Sequence, residues 1–359
     1  MKETTGRFAP SPTGRMHFGN VFCALLSWLS AKSKGGAWRL RIEDLDPDRS
    51  RRDFALQLMD DLQWLGLPWD GEVVWQSQRS DIYEHYLKLL DDAGLTYPCY
   101  CTRADIMATQ APHETDGRIV YAGTCRPKNI SRLSRSSRLS SLSSLSSLSS
   151  SYRNSPAAIR LLVPDEVIAF TDGHYGRQEV NLAKHCGDYI LRRKDGAWAY
   201  QLAVVVDDAL MGVTEIVRGR DLLLSTPQQI HLHQTIASFS PFHPFTFSPF
   251  YYHHPLLINE NGQRLCKRDK SLDLSVLREK HNNPDEIVGF LACLAGIIPA
   301  PAPAKPQDLL PLFDWQKVPT DDIRCQNQYT AGRRQHVHHE HSKLLTCRWQ
   351  FTNVSFVIY

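Results

Sequence analysis

Residues 8–20, FAPSPTGRMHFGN, set Pro10, Pro12 and Gly14 between an apolar residue pair and the start of an apolar helix. Phe8 and Ala9 can close a short strand, and two fixed-φ residues forbid its continuation. The following NVFCALLSWLSAKSK reads as an amphipathic helix that ends near Gly35-Gly36. Strand, stiff loop and helix start together form a geometry suited to phosphate, because N-terminal N–H groups carry positive partial charge and glycines admit a ligand close to the main chain. Many α/β chains also use such a first crossover for no chemistry, so the loop alone leaves both readings open.

The surrounding pattern extends the α/β reading. After the first helix come a second strand, WRLRIEDLD, and a second helix, RDFALQLMDDLQWLGL, which make residues 6–70 the βαβα opening of a doubly wound sheet. Residues 80–95 predict an amphipathic helix with Ser80 as N-cap and Gly94 as C-cap. Residues 131–151 are a Ser-Leu repeat of period three. That period matches neither helix nor strand, and so much serine buries too little surface to offset its ordering, so the segment reads as a disordered insertion. The β-branched run at 199–219 reads as two strands with a turn at Asp207-Asp208 and Gly212. The segment 221–239 predicts a helix introduced by Ser225-Thr226-Pro227 with Pro227 at its first position, Asn261-Gly262 a tight turn, and residues 284–297 a further helix. The Pro/Ala-rich stretch from Pro299 to Pro311 reads as a linker or loosely packed coil. From about Arg324 an atypical tail carries the tract HVHHEH.

A chain of 359 residues has room for two or three domains. The division read here is 1–96 and 157–255 as two halves of one catalytic core, 97–130 as a metal-binding insertion, 131–156 as the Ser-Leu insertion, 256–323 as a basic-loop and helical region, and 324–359 as the tail. A net charge of +3 permits a nucleic-acid partner without demanding one. No run of about eighteen apolar residues and no signal peptide are visible, which points to the cytoplasm and away from a membrane. In that compartment the nine cysteines read as thiols or metal ligands rather than as a disulfide framework.

Three constellations carry chemistry. Cys99 and Cys101, followed by Cys125, could supply three corners of a zinc tetrahedron, with Tyr121, His113 or water at the fourth; His113 is the generic candidate. In RIEDLD, alternation puts Arg41 and Glu43 on one face and Asp44 on the other, at a strand end where open α/β sheets bind ligands. Its carboxylates could hold an ammonium group or form a solvated ion-pair cluster. The third is RLCKRDKSL, where Arg264, Lys267, Arg268 and Lys270 would suit an arm that folds over phosphates, or a plain basic surface.

In order, FAPSPTGRMHFGN, RIEDLD, WQSQR, VVVDDALMGVTEIVRGRDLL and the basic loop resemble the glutamyl-tRNA synthetase group of class I aminoacyl-tRNA synthetases. HFGN stands at the group's HIGH signature and RLCKR at its KMSKS signature. The resemblance implies a Rossmann-type doubly wound parallel sheet with a zinc-containing insertion and a small helical C-terminal part. It implies ATP with Mg²⁺ held by His17, Gly19, Asn20 and Lys267, of which His17, Asn20 and Lys267 act in catalysis. It further implies a glutamate site lined by Arg7, Phe8, Ala9, Pro10 and Ser11. There Glu43 accepts the ammonium, and Tyr200 and Arg218 complete the grip.

Within the group the chain looks most like the shortened paralogue that glutamylates queuosine in the anticodon of tRNA(Asp). Only 88 residues follow Ser271, fewer than the ~100 or more of a helical anticodon-reading domain. That paralogue carries zinc on C-x-C…Y-x₃-C, reproduced by Cys99, Cys101, Tyr121 and Cys125, which raises Tyr121 over His113. The implied partners are L-glutamate, ATP and the tRNA(Asp) anticodon stem-loop, bound by a monomer. Arg264 and Cys266 depart from the group's usual Lys and Ser. The rival readings are a piece of a glutamyl-tRNA synthetase that charges the 3′ end of tRNA(Glu), and a non-catalytic RNA- or zinc-binding remnant.

Overall fold

In a computed structural model of the chain, residues 3–108, 120–127, 156–239, 244–259, 261–265, 274–280, 283–328, 348–351 and 354–358 are described. The Ser-Leu repeat, His113, Cys266, Lys267, Arg268, Lys270 and the HVHHEH tract lie outside them.

Strand β1 (Thr5–Phe8) stops where Pro10 and Pro12 begin, and α1 (Phe18–Lys32) starts after the loop they stiffen. Then follow β2 (Ala37–Ile42), α2 (Arg52–Trp64), β3 (Val74–Trp75) and α3 (Ser80–Asp92). The three strands are parallel in the order β1-β2-β3. Next come β4 (Thr96–Cys99), α4 (Arg103–Ala108), β5 (Ala158–Leu161), β6 (Val167–Asp172), β7 (Gly176–Asn181), α5 (Leu182–His185) and β8 (Ile190–Arg192).

They lead into α6 (Tyr200–Leu210), β9 (Glu215–Gly219), α7 (Thr226–Phe239) and β10 (Phe250–His254). Strand β10 runs parallel to β9 on one side and to β6 on the other, and β6 closes an antiparallel hairpin with β7. Beside β1 lies β9, with Thr214 N–H donating to Thr5 O at 2.9 Å. The chain therefore winds outward from β1 through β2 to β3 and returns on the far side at β9. The β1–β9 seam is a topological switch point, where open α/β sheets place their ligands.

The C-terminal region holds β11 (Leu257–Ile258), α8 (Leu274–Lys280), α9 (Asp285–Leu294), α10 (Pro306–Leu309), β12 (Ile323–Gln328), β13 (Arg348–Phe351) and β14 (Val354–Ile358). Here the expectation of a small helical part needs correction, since four strands in the order β11-β12-β14-β13 accompany the helices. One hydrophobic core joins α1 and the first strands to Phe290, Leu291 and Leu309. A second surrounds α6 and α7, and a small third holds Tyr97, Cys99, Tyr121 and Leu162.

Further local expectations change. The run at 199–219 is a helix followed by one strand, not two strands. Residues Leu202–Ala209 of α6 are buried all round, and a fully buried apolar run hides the helical period. Arg79, not Ser80, occupies the N-cap position of α3, without a side-chain capping bond; the Ser80 hydroxyl accepts from Trp198 Nε1 at 2.8 Å. The stretch 299–311 is no loose coil. Ala304 N–H donates to Asp285 O at 2.9 Å, Pro306 and Leu309 are buried, and a Cβ added to Gly289 would stand 1.7 Å from Ala302 O.

Candidate active site

A cleft of about 470 Å³ opens at the carboxyl ends of β1 and β9, within the usual size for small-molecule sites. Its walls include the whole of Arg7 to Ser11, together with Glu43, Tyr200 and Arg218. His17, Gly19 and Asn20 of the α1 entry line the same space. Every expected glutamate-site residue thus faces one cleft, and so does every expected nucleotide residue among the described ones.

The proline loop is tied to the strand beside it. Glu43 N–H donates to Pro10 O and Arg51 N–H to Pro12 O, both at 3.0 Å, so the loops after β1 and β2 are bonded to each other. At the helix entry, Asn20 Oδ1 accepts the His17 backbone N–H at 3.2 Å, so Asn20 caps α1 as well as facing the cleft. Gly19 lets the His17 ring fold back over the helix start; a Cβ there would sit 3.2 Å from the imidazole.

Charge is arranged in a buried network behind the cleft. Arg41, fully buried, donates from Nη1 to Asp208 Oδ1 at 2.6 Å and from Nη2 to Glu43 Oε1 at 3.0 Å. Arg7 donates to the same Asp208 oxygen at 3.3 Å and to Val217 O at 3.2 Å. Burial pushes the Asp208 carboxyl up, but Arg41 and Arg7 outweigh it and hold the group below the usual carboxylate range. Burial wins at Glu43, which ends above its ordinary value despite Arg41. A cationic group entering beside Glu43 would draw it down again. The neighbouring Asp207 is saturated by Gln76, Arg79 and Tyr83 at 2.6–2.8 Å. The Arg41–Glu43 half of RIEDLD is therefore a buried scaffold, whereas Asp46 pairs with Arg49 at the solvated surface. Asp44 is a loop anchor, accepting from Ser77 N–H and Oγ–H at 2.8 and 2.6 Å.

Arg218 differs from its two neighbours. It is buried, yet its guanidinium bonds are to neutral groups: Nε–H to His253 Nε2 at 3.1 Å, Nη1–H to Gln229 Oε1 at 2.7 Å and Nη2–H to Thr226 Oγ1 at 2.6 Å. Three of five N–H donors are thereby used. A buried cation held by neutral acceptors on a cleft wall invites an anion. Sequence reading missed Asp208, read as part of a turn, and missed Cys23, Asp221 and His254, which also line the cleft. Arg264 of the basic loop reaches the same wall and pairs with Asp221.

Away from the cleft, the sulfurs of Cys99, Cys101 and Cys125 lie within 4.8 Å of one another. Tyr121 Oη stands 3.4 Å from Cys99 Sγ and 3.8 Å from Cys101 Sγ, and the Cys101 and Cys125 sulfurs are 3.5 Å apart. With zinc–sulfur bonds of about 2.3 Å, a tetrahedron has edges of about 3.8 Å, so this donor set fits a zinc ion. The Tyr121 strand meets Gly187, where φ is 62° and a Cβ would lie 2.7 Å from Tyr121 O; a glycine is needed there.

Residues 3–302 match the model of the class I (E and Q) tRNA synthetase catalytic domain. The fold is also that of a glutamate tRNA ligase from Elizabethkingia meningosepticum in complex with its amino acid, with a TM-score of 0.69 and 26% identity over 90% of this chain and 67% of that one. Fold and cleft together define the catalytic core of a class I aminoacyl-tRNA synthetase. The glutamyl-Q tRNA(Asp) synthetase of Nitratidesulfovibrio vulgaris is 42% identical over 325 residues, 88% of this chain and 93% of that protein. Its counterpart from Neisseria meningitidis is 41% identical over 312 residues, 87% and 93% of the two chains. The chain belongs to the glutamyl-Q tRNA(Asp) synthetase family, within the class I aminoacyl-tRNA synthetases, and is a ligase of that type. Among the described residues no helix is long and apolar enough to cross a membrane.

Proposed function

We propose that this enzyme activates L-glutamate with ATP and transfers the glutamyl group to queuosine in the anticodon loop of tRNA(Asp). The observation that carries the glutamate half is Arg218, a buried guanidinium on the cleft wall whose bonds go to neutral acceptors. A γ-carboxylate supplies the missing anion, bound through the two remaining N–H groups. Glu43 takes the α-ammonium, with one oxygen already held by Arg41, and Tyr200 closes the pocket. The α-carboxylate then faces the α1 entry.

There the substrate carboxylate attacks the α-phosphorus of ATP in line and pyrophosphate leaves. Charge developing on the phosphate oxygens is met by the α1 N-terminus, His17 and the Mg²⁺ that accompanies ATP, with Lys267 of the basic loop as a further cation. A queuosine hydroxyl next attacks the glutamyl carbonyl, releasing AMP. Support for this acceptor comes from the names of the relatives at 41–42% identity. Cys99, Cys101, Tyr121 and Cys125 hold a structural zinc, which cross-links β4 to the returning loop and takes no part in the reaction.

Mass spectrometry of tRNA(Asp) incubated with enzyme, glutamate and ATP tests the assignment. A glutamyl-sized gain on the wobble nucleoside, present with queuosine-containing and absent with queuosine-lacking tRNA(Asp), is the expected result. A gain at the 3′ terminus of tRNA(Glu) instead would overturn it.

A further inference from the structure

The three partners of Arg218 are not equivalent, because one of them is itself held by a carboxylate. Asp172 ends β6, His253 lies in β10 and Arg218 in β9, so the three sit on neighbouring parallel strands, with His253 directly opposite Arg218 in the ladder. His253 Nδ1 is 2.6 Å from Asp172 Oδ2, and its Nε2 receives Arg218 Nε–H at 3.1 Å. Both Asp172 and His253 are buried.

Donor rules leave one protonation pattern. A guanidinium Nε–H only donates, so His253 Nε2 must offer its lone pair and the single imidazole proton must sit on Nδ1, facing the carboxylate. Burial pushes the imidazole down to about 4, which keeps it neutral and its Nε2 free to accept. The other Asp172 oxygen is committed to backbone, accepting from Tyr175 N–H at 2.8 Å, His174 N–H at 3.0 Å and His253 N–H at 3.3 Å. One carboxylate therefore pins the turn after β6 with one oxygen and sets the imidazole tautomer with the other. Thr226 Oγ1 lies 3.1 Å from the same Nε2, so the hydroxyl, imidazole and guanidinium share one small polar cluster.

We propose that Asp172 and His253 form a positioning relay that fixes the tautomer and angle at which Arg218 meets the side-chain carboxylate of the substrate. The proposal rests on the reading of Arg218 as the γ-carboxylate grip. The relay reaches substrate only through Arg218. It supplies orientation, and it leaves the guanidinium charge uncompensated, because the negative charge of Asp172 is one imidazole away.

Asp172→Asn tests this with little change of shape. Asn Oδ1 keeps the backbone bonds, while its NH₂ now donates to His253 Nδ1 and drives the ring proton to Nε2, where it opposes Arg218 Nε–H. In glutamate-dependent ATP–pyrophosphate exchange the KM for glutamate is expected to rise about tenfold, with the KM for ATP within twofold of the parent and the imidazole ¹⁵N signals reporting the proton on Nε2. His253→Gln can present an N–H to Asp172 and an oxygen to Arg218, so its glutamate KM stays within about threefold, whereas His253→Leu resembles D172N.

An unchanged glutamate KM in D172N with the tautomer switched would overturn the relay, as would equal rises in both KM values. If D172N does not fold, identical behaviour of the Gln and Leu variants at 253 has the same force. Parent enzyme without glutamate-dependent exchange, or Arg218→Met with a normal glutamate KM, would instead overturn the underlying reading of Arg218.

Discussion

Arg218→Met removes the guanidinium and keeps a linear apolar side chain of similar reach. The wild-type group has two N–H donors left after Thr226, Gln229 and His253 are served. Each charge-assisted bond to a carboxylate in a buried site contributes about 1.5–3 kcal/mol, so the pair is worth about 3–6 kcal/mol. That is roughly 10²–10⁴ in kcat/KM for glutamate. Stability should respond far less. The Thr226 hydroxyl can turn to His253 Nε2 at 3.1 Å, and Gln229 keeps its bond to Gln201 at 2.9 Å. The buried cation is gone as well, so the change in unfolding free energy is expected to stay within about 2 kcal/mol. Glutamate-dependent pyrophosphate exchange over a range of glutamate and ATP concentrations, with thermal unfolding on the same samples, separates the two effects. A variant that loses less than tenfold in kcat/KM while folding normally would refute the reasoning.

Other parts of the account make separate demands. Cys125→Ser should lower the metal content measured by plasma mass spectrometry from near one zinc per chain, and should make the 97–127 segment more open to limited proteolysis; unaltered zinc would reject the Cys₃Tyr site. Gly289→Ala should cost about 1–3 kcal/mol in denaturant unfolding, since its Cβ would collide with Ala302 O. Burial lowers the imidazoles of His253 and His254 to about 4. Between about pH 6.5 and pH 4 the unfolded chain takes up protons that the folded chain refuses, so stability falls as pH falls across that window, by up to roughly 3 kcal/mol per imidazole. Thermal unfolding against pH should therefore be shallower in His254→Gln than in the parent.

The parts of the molecule set by local rules were legible from residues alone. Pro10 and Pro12 announce the end of β1, and the Cys99, Cys101, Tyr121, Cys125 spacing brings donors together as the resemblance implied. Legibility failed where the deciding contacts are distant in sequence. The valines of α6 read as strand because burial on every side erased the helical period, and that error disguised Asp207 and Asp208 as turn residues. Asp208 gains its meaning only from Arg7 and Arg41, some 200 and 167 positions away. Likewise nothing near His253 in the sequence points to Asp172 or Arg218; the strand order β6-β10-β9 makes them neighbours. The strap at 299–311 looked like a linker by composition, yet Gly289 offers its backbone a close seat on α9.

Pyrophosphate exchange in the absence of any tRNA, run across the twenty amino acids, probes the charge logic of the cleft most directly. The proposed pairing of Arg218 with a side-chain carboxylate and of Glu43 with the ammonium requires that L-glutamate alone supports rapid exchange and that the isosteric L-glutamine falls behind by two orders of magnitude or more. Equal rates for the two would mean that Arg218 does not read the substrate's charge.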